Sequence, residues 1–303
     1  MHNRGITMVN QAIRPKKWLF VLLLGPGIGW YVFAVILPML SSVFYSFFSF
    51  RGVRLDKFIG LNNYLELVKD EIFGYSLINN IIITVLCVVG QIGIALIFAA
   101  LLSTRYVKLK NFHRAFIFFP AVLSPVIVGF IWTIMYSTDY GLINFFLRTL
   151  GLESLILPWL DDPKNVVLFV CIPIIWMYVG YYMVIIISGM SSIPNEVYEM
   201  ADIDGASGMK KLIYITMPMI KNTLMVCLTL CISGNMQVFD IIYVMTGGGP
   251  GTSSSVMAMY AYNKTFTQFK IDYGNTISVG ILLVSLIFIL ITKRLVGGRK
   301  ADA

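Results

Sequence analysis

Charge is what this sequence has least of. Asp, Glu, Lys and Arg make up 13% of its 303 residues, roughly half the share of a soluble domain. Histidine occurs only at His2 and His113, and cysteine only at Cys87, Cys171, Cys227 and Cys231. With so few ligands and no Cys-x-x-Cys pair, no metal site is expected. Cys227 and Cys231 fall one helical turn apart within an apolar run, where they read as small buried hydrophobes. No paired acids, histidine cluster or activated nucleophile stands out, so no catalytic residue is expected and the chain does not read as an enzyme. A Gly-x-x-x-x-Gly-Lys-Ser/Thr phosphate loop is also missing, which argues against ATP binding by that route. The net charge of +8 comes without a basic stripe, so nucleic acid is not an expected partner.

Apolar sequence is what there is instead: 58% hydrophobic residues and a mean hydropathy of +0.81. A 34.1 kDa chain cannot hide that much in one core, because much of a domain this small is surface. Six stretches reach the ~20 apolar residues needed to cross a bilayer: Trp18–Leu40, Ile78–Leu102, Ala115–Tyr136, Val166–Met190, Thr223–Met245 and Gly274–Thr292. Runs of this length read as helices, since a barrel would show short alternating segments. The expected fold is an all-α membrane protein with six transmembrane helices. The first run outlasts a signal-peptide core, so it is expected to remain in the mature chain.

The basic residues set an orientation. With the N-terminus inside, the inner segments collect Arg4, Arg14, Lys16, Lys17, Arg105, Lys108, Lys110, Arg114, Lys210, Lys211, Lys221, Lys293, Arg294, Arg299 and Lys300, fifteen of the 23. The outer segments hold the remaining eight. The positive-inside rule therefore puts both termini in the cytoplasm. The division is a tail at 1–17, a membrane domain at 18–295 with a cytoplasmic loop at 191–222, and a tail at 296–303. The 47–77, 137–165 and 246–273 loops face out. No Lys or Arg enters a span, and Asp240 is the single acid within one. That argues against a proton relay or ion pump, and six spans are few for a carrier built of two repeated bundles. The driving energy is expected to come from elsewhere.

The loop from Ile193 to Pro218 carries a pattern. Pro194 and Asn195 can open a helix, Asn195 by satisfying free amides. Glu196 and Glu199 fall in its first turns, where acids suit the helix dipole. Val197, Met200 and Ala201 form the expected apolar face. Gly205 can end the helix with positive φ, before a second helix runs to Pro218. Glu199, Ala201, Gly205, Ile215 and Pro218 together resemble the EAA loop, Glu-Ala-Ala-x3-Gly-x9-Ile-x-Leu-Pro, of permease subunits in binding-protein-dependent ABC importers. Asp204-Gly205-Ala206 matches the Asp-Gly-Ala often found there, while Met200 and Met217 depart from the pattern. Phe239-Asp240 with Thr246-Gly-Gly-Gly-Pro-Gly251, Phe58-Ile-Gly-Leu-Asn-Asn-Tyr64 and Trp176-Met-Tyr-Val-Gly180-Tyr181 are similar to segments of the carbohydrate branch, the maltose and glycerol-3-phosphate type.

The resemblance implies a type I importer permease fold, and partners to go with it. These are a second, non-identical permease, two cytoplasmic ATPases, an extracytoplasmic solute-binding protein and a sugar substrate. No cofactor would be bound by this chain; ATP and Mg would sit on the ATPases. Glu196, Glu199, Ala201, Asp204, Gly205 and Ala206 would couple to an ATPase, with Glu199 pairing a basic group, Ala201 allowing close approach and Gly205 setting the turn. For the substrate path, Asn235 and Gln237 can bond hydroxyls, and Phe239 can stack on a sugar face. Asp240 and, in the fourth span, Trp176, Tyr178, Gly180, Tyr181 and Tyr182 complete the candidates; helix packing is the competing reading for all of them. The glycine run at 247–251 reads as a flexible outer loop that contacts the delivery protein, and the 47–77 loop is another such contact. A self-contained channel or carrier, and a same-superfamily permease for glycerol phosphate or another polar solute, stay open as alternatives.

Overall fold

The computed structural model describes residues 17–104, 107–206 and 208–297. Arg4, Arg14, Lys16, Arg105, Arg299 and Lys300, and with them most of both tails, lie outside the described residues. In chain order, α1 (Lys17–Tyr31) runs through a π turn into α2 (Leu37–Tyr45), followed by β1 (Phe48–Arg51), β2 (Arg54–Phe58) and α3 (Asn62–Lys69). Next come α4 (Glu71–Cys87) and α5 (Gly93–Ser103), α6 (Lys110–Phe118) and α7 (Pro125–Met135), α8 (Leu142–Thr149) and the long α9 (Val166–Met190). The remainder is α10 (Asn195–Ile203), α11 (Gly208–Lys211), α12 (Met217–Met219), α13 (Lys221–Met236), α14 (Asp240–Thr246), α15 (Met257–Tyr262) and α16 (Ile271–Gly297).

Among the described residues, four helices are long and apolar enough to cross a membrane: Val21–Tyr45, Glu71–Ser103, Val166–Met190 and Ile271–Arg294. Counting each of two bent pairs as one crossing raises the number to six. Lys110–Val122 meets Pro125–Met135 at 95°, and Gly208–Met219 meets Lys221–Met236 at 82°. Both bends have proline causes. Pro120 sits in a 3-10 turn and Pro125 opens α7; Pro218 lies just before the second bend. A proline cannot donate an amide hydrogen and its ring crowds the preceding turn.

The core forms around α9. Ile174, Met177, Met183 and Ile186 of this helix are fully enclosed. Pro173 lies inside α9 and leaves the carbonyl four residues back without its amide. The Tyr136 hydroxyl, arriving from the end of α7, donates to that Phe169 carbonyl at 3.0 Å. At Gly180 a side chain would collide with the backbone of Ile117 and Phe118, so glycine is what lets α6 approach α9. Buried Gln91 accepts from Cys231 Sγ at 3.2 Å and donates to the Ile174 carbonyl at 3.1 Å, tying α13 to α9. Each device satisfies or shields backbone where lipid offers no hydrogen bonds.

Three expectations need correction. The fold is not purely α: within the 47–77 loop β1 and β2 pair antiparallel, so the chain is mostly helical with one small hairpin. The fifth span is not one helix from Thr223 to Met245. It breaks after Met236, with Gln237 at φ −109°, ψ 9° and Phe239 at φ −142°, ψ −59°, because Gly234 and its polar neighbours weaken the helix and Asn80 donates to the carbonyls that end it. The glycine run at 247–251 is not a loose loop. Thr246 Oγ1 and Ser254 Oγ lie 2.7 Å apart, Ser254 Oγ donates to the Gly249 carbonyl at 2.7 Å, and Gly248 is packed against Met259.

On the loop side opposite 191–222, α4 begins at a hydrogen-bonded knot. Asp70 caps α4 through the Ile72 and Phe73 amides and accepts from the Tyr260 and Tyr273 hydroxyls, each at 2.6 Å. Lys264 stands 5.1 Å from the Tyr260 ring centroid and 5.5 Å from that of Tyr273. Burial alone would raise the Asp70 carboxyl, but these hydrogen bonds outweigh it and hold its pKa below the usual carboxylate value. Burial first, then the bond to Asp70, pushes the Tyr260 phenol up.

Candidate functional site

Two places gather the candidate residues. The first is the 191–222 loop. Pro194, at φ −58° and ψ 143°, precedes α10. Asn195 is the first helical residue and no side chain caps the amides there, so the expected Asn195 cap is absent; Asn195 instead lines a cleft behind the helix. Gly205 takes φ +74°, and the Ala206 amide reaches back to the Ala201 carbonyl at 2.9 Å. That i to i−5 bond over a left-handed glycine closes α10 in the Schellman manner. Gly208 turns the chain again at φ +53° into α11.

The faces of α10 differ from expectation. At 100° per residue, Val197 and Ala201 share the inner side with Tyr198. Ala201 is 4% exposed, so its small side chain lets α10 seat on its own chain rather than meet an outside partner. Met200, expected inside, is 59% exposed and Ile203 85%. They share the outer side with Glu196 and Glu199, both exposed. Asp204 and Gly205 are exposed and Ala206 half-buried. Tyr214 extends the exposed apolar surface beyond the turn. Behind it, Lys211 forms an ion pair and hydrogen bond with Asp202 and stands over the Tyr198 ring, joining the loop's two helices. Neither contact was legible in the EAA-type spacing.

The second place is the break between α13 and α14. Asn235 is 5% exposed, and its Nδ2 donates to the Cys231 carbonyl at 2.8 Å. It is therefore held within the bundle and not offered to a solute. Asn80, on α4, does the work of the break: its Nδ2 lies 3.0 Å from the Asn235 carbonyl and 3.4 Å from that of Met236, and its Oδ1 accepts from the Met257 amide at 2.8 Å. One side chain thus serves the end of α13 and the start of α15, whose outermost backbone groups have no partner within their own helices. Asn79 beside it donates to the Ser253 and Ser255 carbonyls, each at 2.8 Å.

The other candidates divide. Gly180 is a packing residue and Tyr182 is buried, so neither faces an open surface. Tyr178 is half-buried, within electrostatic reach of Asp240. Trp176 and Tyr181 are partly exposed, Trp176 with its ring 6.0 Å from that of Trp132. Gln237 and Asp240 are exposed, Asp240 as the first residue of α14. Phe239 stacks on Tyr243 at 5.1 Å and 25°, touches Tyr262 at 5.3 Å, and Tyr262 continues to Phe266 at 5.1 Å. This aromatic ladder, with Tyr243 and Phe266 largely exposed, was missed except for Phe239. Its signal was the four-residue spacing from Phe239 to Tyr243 and from Tyr262 to Phe266, which places each pair on one helix face.

Comparison with known proteins gives the chain a family. Residues 91–297 match the family described as binding-protein-dependent transport system inner membrane component. The probable ABC transporter permease protein YurN of Bacillus subtilis is 34% identical over 281 residues, covering 92% of this chain and 94% of that protein. The lactose transport system permease protein LacF of Rhizobium radiobacter is 32% identical over 88% of this chain and 89% of its own length. In fold, the chain resembles a subunit in the crystal structure of a bacterial alginate ABC transporter in complex with alginate pentasaccharide-bound periplasmic protein, with TM-score 0.79, 22% identity, and coverage of 92% and 95%. With the family match running from the second crossing to the end of α16, and relatives aligned nearly end to end, this chain belongs to the inner membrane components of binding-protein-dependent transport systems.

Proposed function

We propose that this chain is one of two unlike permease subunits of an ATP-driven importer that moves a sugar or oligosaccharide delivered by an extracytoplasmic solute-binding protein. The observation that carries the reading is the outer face of α10. Glu196, Glu199, Met200 and Ile203 stand exposed together on a short helix closed by Gly205, a rigid element suited to docking on a cytoplasmic ATPase. Such a helix has few degrees of freedom, so ATPase closure is passed to α13 as a rigid-body motion. ATP and Mg belong to those partners. Both termini then face the cytoplasm, a reading that the distribution of basic residues supports.

Sugar as cargo is supported by the aromatic ladder from Phe239 to Phe266 beside exposed Gln237 and Asp240. Aromatic faces suit the C–H surface of a pyranose, and amide and carboxylate suit its hydroxyls. The apolar face of Val21–Tyr45, with none of its window buried, is available to lipid or to the second permease. The test is ATP-dependent uptake in vesicles holding the assembled complex. Gly205→Pro and Glu199→Lys should leave the chain inserted at normal levels while abolishing uptake. Normal transport by either variant removes the loop from coupling, and solute passage by this chain alone would establish a channel or carrier instead.

A further inference from the structure

Behind α10, on the side away from its outer face, lies a cleft of about 800 Å³ between the end of α5, the start of α6 and the two loop helices. Its size is that of a small-molecule or lipid-headgroup site. Its walls are of two kinds. Ile97 and Leu101 line one side and are themselves 46% and 53% exposed, so this wall continues onto the apolar outer surface of a membrane-crossing helix. Lys110 and Arg114 line the other. Being four residues apart on α6, they project from the same face.

The charge in this cleft is unbalanced. Asp202 is the one acid among the described lining residues, and it is already paired with Lys211. Arg114 Nε is buried without a hydrogen-bond partner among the described residues, and a guanidinium N–H left so is costly unless something accepts from it. The complementary ligand needs an anionic oxygen for Arg114 and Lys110 and an apolar chain for Ile97 and Leu101. A soluble anion meets only the first need.

We propose that this cleft binds an anionic phospholipid, its phosphate held by Arg114 and Lys110 and an acyl chain laid along Ile97 and Leu101. Basic pockets between membrane helices are known to hold such headgroups. The bound headgroup would bridge α6, which leads into the third crossing, to α10 and α11, and so set the stance of the loop. Because Asn195, Tyr198 and Asp202 face the cleft while Glu196, Glu199 and Ile203 face away, lipid and an outside partner can be held at once. The inference rests on α5 and α6 reaching a membrane face, and not on the cargo or on ATPase docking.

The test is native mass spectrometry of the delipidated, assembled complex titrated with phosphatidylglycerol or phosphatidylcholine. The wild type should bind phosphatidylglycerol preferentially. Each basic residue near an anionic headgroup strengthens binding about fivefold, so Lys110→Gln with Arg114→Gln should weaken it about 25-fold, with a much smaller loss for phosphatidylcholine, whose phosphate is offset by choline. Arg114→Lys, which keeps the charge, should retain most of the affinity, and persistence of the full assembly shows that the variants fold. Equal binding of the two lipids, or an unchanged double variant, would overturn the proposal. So would displacement of phosphatidylglycerol by millimolar inorganic phosphate, which would make this a site for a soluble anion.

Discussion

Replacing Asn80 by leucine tests whether the break between α13 and α14 depends on one side chain. Asn80 is fully buried and makes three hydrogen bonds to backbone groups of other elements, at 3.0, 3.4 and 2.8 Å. Leucine is close in volume, so packing changes little and hydrogen bonding is isolated. The variant strands the Met257 amide and all but strands the Asn235 carbonyl, which keeps only the Val238 amide at 3.4 Å; the Met236 carbonyl, at the longest distance from Asn80, counts for less. A buried backbone group left unsatisfied costs ~1–3 kcal/mol, whereas interhelical hydrogen bonds within membranes average ~0.6 kcal/mol when the unfolded reference finds other partners. Two strong bonds therefore bracket the loss between ~1 and ~6 kcal/mol. We expect ~2–4 kcal/mol, because both stranded groups sit at helix ends enclosed by protein, with lipid and water excluded. The assay is reversible denaturation in mixed micelles, with Ile78→Ala, at a half-exposed position of the same helix, as the comparison. A loss below ~0.5 kcal/mol for Asn80→Leu, equal to that of Ile78→Ala, would refute the account of the break.

Three other outcomes follow from the geometry. Gly180→Val places a branched side chain against the Ile117–Phe118 backbone, and overpacking of this kind costs ~1–3 kcal/mol or more; a melting temperature within a degree of wild type would contradict it. Asp70 has a lowered pKa in the folded state, so its ionised form contributes stability above the unfolded value of 3.8, and that contribution is lost as pH falls through the lower folded value. Asp70→Asn should flatten the acid limb of a stability profile below about pH 4 and leave the neutral region lower but parallel. Phe239→Ala and Tyr243→Ala should each reduce sugar uptake roughly two- to tenfold, the worth of one aromatic contact, with normal ATPase activity in the assembled complex; unchanged transport would remove the ladder from the path.

Much of the architecture was legible because lipid imposes simple rules. Long uncharged runs located the four helices long and apolar enough to cross a membrane, and EAA-type spacing located α10 and its Gly205 turn, since only certain residues tolerate φ +74°. What the spacing did not reveal was direction. Met200 and Ala201 are both apolar and adjacent, yet one points out and the other in, a matter decided by which side of α10 meets the rest of the chain. Asn235 looked like a sugar ligand for the same reason that it is a structural one: an amide in a membrane helix must bond something. Tyr262 and Phe266 belong to the Phe239 ladder only because residues 247–256 fold back, which local pattern does not encode.

By itself the sequence determined the solvent of this protein, the placement of its apolar helices and the chemistry of its loop, because composition and period act through local burial and charge. The tertiary structure alone decided where helices break and which polar side chains are spent within the bundle. Asn80, Gln91 and Tyr136 each serve a backbone or side-chain group distant in sequence, and such debts of hydrogen bonding become visible only when the helices that share them are side by side.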